Sequence, residues 1–369
     1  MRAAFKDEER TGYFAHIESK ACQKALDNQK SLKTLRMKLR KIAKKANKSG
    51  KFKYALASQQ KTRGLKERTL KQEVKTRFTA THTMIRSFLN DPNEGMDVDM
   101  DEEKIDVNIE AINHAMLEAK FSKKDQAKLL IKQEDVLKMK NLVKILDVLE
   151  EGITLIGAEK YATGSAVLPF LHKFNKVLEA DESDLVYISK FKSDLKRELN
   201  TRCDLNLNMD ILSKASFFDK RFSLLKFLEN DEKERIVEEI REELKEMEKT
   251  VEKAPSSDQP PAKKKRFLGL GLADSDDDDG IASKGAEGEF ERFLEEKKLS
   301  SDGCPFAWWR QRKLEFPMMS RLARKYLAVQ GSATPAERIM SRLGLVLTKT
   351  RQSLPGENFG MMMFLSDVV

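Results

Sequence analysis

One segment near the C-terminus contains a residue that could take part in catalysis. It is Thr334-Pro335-Ala336-Glu337, whose glutamate could act as a metal-binding carboxylate. A two-metal site that cuts phosphodiester bonds needs further acids converging on the same point. The same four residues also make a helix-capping box, in which Thr334 accepts the backbone N–H of Glu337 and Pro335 takes the first helical position. Capping alone explains Glu337, and the sequence predicts neither a metal site nor a cofactor.

Positive charge is concentrated at the N-terminal end of the chain. Residues 1–86 hold 24 Lys or Arg against 7 Asp or Glu, whereas the whole chain carries a net charge of +9. Such a field attracts polyanions, of which nucleic acid is the commonest inside cells. The residues that we predict to contact DNA here are Lys38, Arg40, Lys41, Lys44 and Lys45. The alternative is a solvated, lysine-rich helical surface with no nucleic-acid partner.

Apolar residues recur with helical spacing along most of the chain. Ile17 to Asn47 contains no Pro or Gly and is predicted to form one long helix, which Ser49-Gly50 ends. Further helices are predicted over Lys51 to Gln60, over Thr79 to Leu89 and, with breaks, over Val107 to Glu248. No segment shows the strict alternation of a half-buried strand. We therefore expect a mainly α fold with almost no sheet.

Glycine and proline divide these helices. Gly152, Gly157 and Thr163-Gly164 are predicted breaks, and Pro169 is a candidate kink. The segment from Glu232 to Lys253 mixes acids and bases at helical spacing, which is typical of a solvated helix.

A polar segment, Pro255 to Glu289, has the composition of a disordered linker. Within it Lys263-Lys264-Lys265-Arg266 follows Pro260-Pro261, a pattern typical of a nuclear import signal. An accidental basic cluster is the alternative. We predict a nuclear protein.

Cysteine spacing and hydropathy indicate the cellular compartment of the protein. Cys22, Cys203 and Cys304 lie far apart and show no C-x-x-C spacing, which predicts free thiols in a reducing compartment. No run of eighteen apolar residues occurs, and the N-terminus has no apolar signal-peptide core. We expect a soluble, intracellular protein without a membrane partner.

Excess hydrophobic surface lies in the tail. Both tryptophans, Trp308 and Trp309, stand side by side there, and three apolar segments follow them. Such surface must be buried against the chain's own helices or against a partner subunit, and both alternatives are open for the two tryptophans. The predicted dimerisation residues are Trp308, Trp309, Phe316, Met319, Leu322, Tyr326, Leu327, Ile339, Leu343, Leu347 and Phe364.

The tail also carries an ordered series of short motifs. They are Pro305, Trp308-Trp309, Phe316-Pro317, Leu322-Ala323-Arg324-Lys325-Tyr326-Leu327, Ala333 to Arg338, Ser341, Gly344, Thr348-Lys349 and Arg351. In this order they resemble the dimerisation region of hAT-superfamily transposases and of the BED-finger proteins derived from them. Upstream, Thr76-Arg77-Phe78 resembles the family's Thr-Arg-Trp segment, and Phe14-Ala15-His16 its Cys-x-x-His segment, with Tyr13 in place of Cys.

The resemblance implies an RNase H-like fold with an all-helical insertion and three acids that bind two metals. Glu337 matches the third acid, whereas the first two lie before the Cys-x-x-His segment, on strands that we do not expect in this chain. The zinc-binding BED module is also not found in it. The resemblance further implies that Arg77 and Phe78 contact DNA, because the family's tryptophan stacks on a flipped base. We therefore expect that the chain is not an enzyme and that Glu337 is vestigial.

Five regions follow from these patterns. They are a basic helical region with an RNase H-like remnant (1–89), an acidic loop (90–106), a helical insertion-like domain (107–253), a disordered linker (254–289) and the dimerisation region (290–369). The predicted function is dimerisation of a catalytically incomplete, transposase-derived nuclear protein that binds DNA non-specifically. Its partner would be a second copy or a related transposase-derived protein. The alternatives are a truncated active transposase and a helical scaffold that binds only proteins.

Overall fold

The computed structural model describes residues 14–73, 79–89, 102–158, 161–252, 285–332 and 361. Over these residues the chain forms fourteen α-helices and no strand, so the predicted mainly α fold is confirmed. The helices are α1 (Phe14–Asn28), α2 (Lys30–Lys48), α3 (Gly50–Thr62), α4 (Thr79–Leu89), α5 (Glu102–Glu118), α6 (Lys123–Leu129), α7 (Gln133–Ile156), α8 (Gly164–Val177), α9 (Val186–Asn206), α10 (Met209–Phe218), α11 (Asn230–Glu252), α12 (Ala286–Glu295), α13 (Pro305–Arg312) and α14 (Pro317–Leu327).

The predicted long helix from Ile17 to Asn47 is two helices, and the single-helix prediction was wrong. Gln29 separates α1 from α2 with an extended backbone, φ −91° and ψ 101°. Its side-chain Nε2 donates a buried hydrogen bond of 2.6 Å to Oδ2 of Asp194 in α9. Because Asp194 lies 165 residues away, local propensity could not reveal this break.

A first hydrophobic core joins α1 to α9. Helix α1 packs along α9, α3 packs on α5, and α4 packs on α7. Buried side chains from all of these helices form one continuous cluster, which includes Leu39 of α2, Phe88 of α4 and Leu146 of α7. Helices α1 to α4 therefore share their core with the helices that follow.

Gly152 lies inside α7 instead of breaking it, so that prediction was wrong. A Cβ atom built on Gly152 would collide with the ring of Phe170 in α8. The glycine lets the two helices approach closely, which outweighs its poor helix propensity. The break predicted at Gly157 is confirmed, because α7 ends at Ile156 with Gly157 as its C-cap. Helix α8 continues through Pro169.

A second core joins α10 to α14. It contains Phe217 and Phe218 of α10, Ile240 of α11, Phe293 of α12 and Trp309 of α13. Helix α11 buries Ile236, Ile240 and Leu244, so the segment predicted to be solvated has one apolar face in this core.

Two predicted irregular segments are shorter than expected. Helix α5 begins at Glu102, within the segment predicted as an acidic loop, and α12 begins at Ala286, within the predicted linker. In the described part of the chain, no helix combines the length and apolarity needed to cross a bilayer.

Candidate functional site

Aromatic side chains cluster where α10, α12, α13 and α14 meet. The rings of Trp308 and Trp309 stand edge to face, with centroids 4.9 Å apart. Phe293 stacks on Trp309 at 5.4 Å, and Phe316 stacks on Trp308 at 6.1 Å. Such pairs add roughly 0.5–1.5 kcal/mol each beyond the burial of their area. The cluster therefore fastens α13 to its neighbours.

Hydrogen bonds fix the position of α13. The indole Nε1 of Trp309 donates to the backbone carbonyl of Phe218 at 2.7 Å. The hydroxyl of Tyr161 donates to the carbonyl of Gly303, just before α13, at 3.1 Å. Both bonds join the tail to residues more than 90 positions away in sequence.

A buried carboxylate holds the start of α14. Glu289 of α12 accepts hydrogen bonds from the backbone N–H of Met318 at 3.1 Å and of Met319 at 2.6 Å. These N–H groups have no partner within the helix, and Pro317 at the first position has no N–H to satisfy. Burial raises the pKa of Glu289, although the two backbone donors favour its charged form.

A polar network joins the other side of α14 to α10 and α11. The hydroxyl of Tyr326 contacts both carboxylate oxygens of Glu243, at 2.6 and 2.7 Å, and Lys214 Nζ lies 2.6 Å from Oε1 of the same residue. Lys214 also pairs with Glu239 at 3.0 Å. Burial raises the pKa of Glu243, but hydrogen bonds from Lys214 and Tyr326 outweigh burial and hold it below its ordinary value.

The predicted dimerisation residues fall into two groups. Seven lie in the described part and are buried within the chain itself: Trp308, Trp309, Phe316, Met319, Leu322, Tyr326 and Leu327. The other four, Ile339, Leu343, Leu347 and Phe364, lie outside the described residues, as does Glu337. For Trp308 and Trp309, which are only 7% and 6% exposed, the structure favours the chain's own core over a partner surface.

Four large apolar side chains in the described part of residues 289–369 face solvent, and none of them was predicted as a dimerisation residue. Leu294 is 40% exposed and Met361 is 63% exposed, and the other two lie near the tryptophans. Phe306 in α13 is 41% exposed, and Leu314, between α13 and α14, is 86% exposed. Phe306 and Leu314 both lie between Pro305 and Phe316, among the motifs of the tail, so the sequence already showed two more apolar residues there. Only the packing of the tryptophans shows which apolar groups stay available.

Among the residues predicted to contact DNA, three form ion pairs with acidic side chains of the chain, and two form none within the described residues. Lys38 pairs with Asp135 at 2.6 Å, Arg40 with Glu73 at 3.0 Å and Lys45 with Asp125 at 2.5 Å. Lys41 and Lys44 are exposed. Arg77, Phe78 and the predicted import signal Lys263, Lys264, Lys265 and Arg266 lie outside the described residues.

Buried ionisable groups line the junction of α1, α2, α4 and α7. Glu73 accepts from Arg36 Nε at 2.7 Å and also contacts Thr81. Glu18 of α1 is fully buried, and neither carboxylate oxygen has a hydrogen-bond partner among the described residues. Burial raises the pKa of Glu18 well above its ordinary value, and the charge of Glu150 raises it further. In the described part, no three His, Cys, Asp or Glu residues are grouped closely enough to hold a metal ion.

Comparison with known proteins agrees with the motifs of the tail. Residues 289–369 match the hAT family C-terminal dimerisation region. The chain is also similar to the human protein named zinc finger BED domain-containing protein 4, at 23% identity over 340 residues. That alignment covers 89% of this chain and 26% of the relative, so this chain spans about a quarter of the relative's length. The resemblance to hAT-derived proteins is thereby confirmed, and residues 289–369 of this chain correspond to the hAT family C-terminal dimerisation region.

Proposed function

We propose that this transposase-derived chain works by forming dimers through residues 289–369. The single observation that carries the proposal is the match of this region to the hAT C-terminal dimerisation family. The partner is a second copy of the chain or a related transposase-derived protein.

The packing supports two different roles for the apolar residues of this region, one within the chain and one toward a partner. Trp308, Trp309 and Tyr326 hold α13 and α14 on the helical body, because their side chains are buried and hydrogen-bonded or stacked there. Exposed Phe306 and Leu314 are then available for a partner. We assign them to the dimer contact, together with the predicted Ile339, Leu343, Leu347 and Phe364.

Sedimentation of the full chain at tens of micromolar tests dimerisation. We expect a dimer for the wild type and a shift toward monomer for a variant with Phe306→Glu and Leu314→Glu, because each glutamate places a charge in an apolar contact. A wild-type monomer would contradict the proposal.

The matched control carries Leu185→Glu and Val186→Glu. These residues are 40% and 84% exposed, almost the same fractions as Phe306 and Leu314, but they lie at the start of α9. The control should remain a dimer. Equal loss of dimer in both variants would show that added charge alone, and no specific contact, causes the effect.

We also propose that the chain by itself does not cleave DNA. Glu337 matches one acid of the family's three, and the capping-box pattern of its sequence explains it without chemistry. Incubation with a DNA duplex and Mg²⁺ or Mn²⁺ should leave the duplex intact. Cleavage that a Glu337→Gln variant loses would instead support the alternative, a part of an active transposase.

Non-specific DNA binding in the nucleus completes the proposal. It is supported by the excess of Lys and Arg in residues 1–86 and by the basic run Lys263 to Arg266. Binding to a DNA duplex should weaken steeply as salt rises, because phosphate contacts release counterions. A fluorescent fusion should leave the nucleus when Lys263, Lys264, Lys265 and Arg266 become alanine. Binding that does not respond to salt would favour the alternative, a scaffold that binds only proteins.

A further inference from the structure

Helix α2 carries an exposed row of lysines on one side. The row consists of Lys30, Lys33, Lys41, Lys44 and Lys48, and every member is exposed. At 3.6 residues per turn these five positions fall within about 80° of the helix circumference. With a rise of 1.5 Å per residue, the row is about 27 Å long.

Nothing in the described part of the chain neutralises this row. Helix α2 contains no Asp or Glu. The ion pairs that α2 makes with the rest of the chain use Arg36, Lys38, Arg40 and Lys45, which contact Glu73, Asp135 and Asp125. No ion pair within the described residues involves a lysine of the row.

The solvent-facing side of α11 carries a different pattern of charges. In α11, Arg235 pairs with Glu239 four residues on and with Asp210 of α10, each at 2.6 Å. Arg241 likewise reaches Glu287 and Glu291 of α12. Charges on a merely solvated surface are thus interleaved with opposite charges here, whereas like charges three or four residues apart in α2 repel one another.

We infer that the lysine row of α2 is the surface that follows the phosphate backbone of duplex DNA. Lys38, Arg40 and Lys45 instead form ion pairs within the folded chain. The inference rests on the proposed DNA binding and assigns that binding to named residues. A straight, unpaired row of cations complements a polyanion with regularly spaced charges, and binding relieves the repulsion within the row. Lysine contacts to phosphate carry no base specificity, so the binding is independent of sequence.

The test measures affinity for a DNA duplex of arbitrary sequence against salt concentration, using the full chain. Each phosphate contact contributes about −0.9 to the slope of log K against log salt, so five contacts weaken wild-type binding about 500-fold between 50 and 200 mM salt. A variant with Lys41→Gln, Lys44→Gln and Lys48→Gln keeps two contacts and should weaken only about 12-fold over that range. Its affinity at low salt should fall at least tenfold.

The matched control carries Lys226→Gln, Lys249→Gln and Lys297→Gln. These three lysines are also exposed, lie outside α2 and change the net charge equally. The control should keep the wild-type slope. A Lys38→Gln variant should lower thermal stability with little change in slope, because Lys38 pairs with Asp135.

The outcomes distinguish a failure of the lysine row from a failure of the proposed DNA binding. Wild-type binding with no salt dependence would overturn both the lysine row and the proposed DNA affinity. A steep wild-type slope that persists in the α2 variant would overturn the row alone. Equal losses in the α2 variant and in its control would also overturn the row, because net charge alone would then explain binding. Helical circular dichroism and sedimentation check that each variant folds and dimerises as the wild type does.

Discussion

The indole Nε1 of Trp309 donates a hydrogen bond of 2.7 Å to the backbone carbonyl of Phe218, 91 residues earlier in the chain. This bond joins the hAT-type C-terminal region to the last residue of α10. Stacking of Tyr326 on Phe218, with centroids 5.6 Å apart, strengthens the same junction. Helices α12, α13 and α14 are therefore built into the second core of the chain itself.

Replacing Trp309 by phenylalanine tests this junction. The variant keeps an aromatic ring but leaves the Phe218 carbonyl without its donor in a buried site, which should cost about 1–3 kcal/mol of unfolding free energy. Urea unfolding measures the loss. Trp308→Phe is the control, because among the described residues no hydrogen bond of the Trp308 indole is found, and it should cost less. Equal losses would show that ring size, and not the hydrogen bond, matters.

Replacing Tyr326 by phenylalanine tests the contact with Glu243. A hydrogen bond to a charged carboxylate is worth about 1.5–3 kcal/mol, and partial exposure of Glu243 places the expected loss at the low end. Hydrogen bonds from Lys214 and Tyr326 hold the pKa of Glu243 below its ordinary value. The stabilisation is therefore present above the ordinary carboxyl pKa and is lost as pH falls through the lowered one.

The two proteins should accordingly differ in stability at neutral pH and converge in acid. Unfolding free energies measured from pH 7 to pH 3 check this trend. A difference that stays constant over the whole range would mean that the tyrosine hydroxyl does not act through the charged carboxylate.

Replacing Glu18 by glutamine should stabilise the protein at neutral pH. Burial raises the pKa of Glu18 well above its ordinary value, so between the ordinary and the raised pKa the folded state holds this proton more tightly than the unfolded state does. Stability from this group is full below the ordinary carboxyl pKa and is lost as pH rises toward the raised pKa. Glutamine carries no charge at any of these pH values and so removes that linkage, and we expect a higher free energy of unfolding at pH 7 than for the wild type.

The gain should shrink as pH falls toward 4, which thermal unfolding at several pH values can follow. Glu110→Gln on the exposed face of α5 is the matched control and should change stability little at any pH. A Glu18→Gln variant that is less stable at pH 7 would mean that the carboxylate has a partner that stabilises its charged form.

Replacing Gly152 by alanine should destabilise the first core. The new methyl group would collide with the Phe170 ring, which stacks on Phe174 at 5.7 Å and has little room to move. Overpacking of this kind costs about 1–3 kcal/mol. Gly50→Ala is the control, because nothing lies within 4 Å of a Cβ built there, and it should be neutral or stabilising. Thermal unfolding of both variants decides between crowding and a general glycine effect.

Local patterns predicted the helices α3 and α4 closely, because apolar spacing and stop signals such as Ser49-Gly50 act over a few residues. The break at Gln29 and the continuous helix through Gly152 escaped prediction, because Asp194 and Phe170 decide them from other helices. The two tryptophans were recognisable as an anchor, but the choice between core and partner depended on where α10 and α12 lie.

The sequence by itself determined that the chain is helical, that its tail carries hAT dimerisation motifs and that its first 86 residues are strongly basic. These properties follow from residue order and composition alone. Only the tertiary structure decided which groups remain available to a partner. It buries Trp308 and Trp309, pairs Lys38 with Asp135 over 97 residues and leaves Lys41 and Lys44 exposed. Availability depends on contacts between residues distant in sequence, which packing creates and local spacing does not encode.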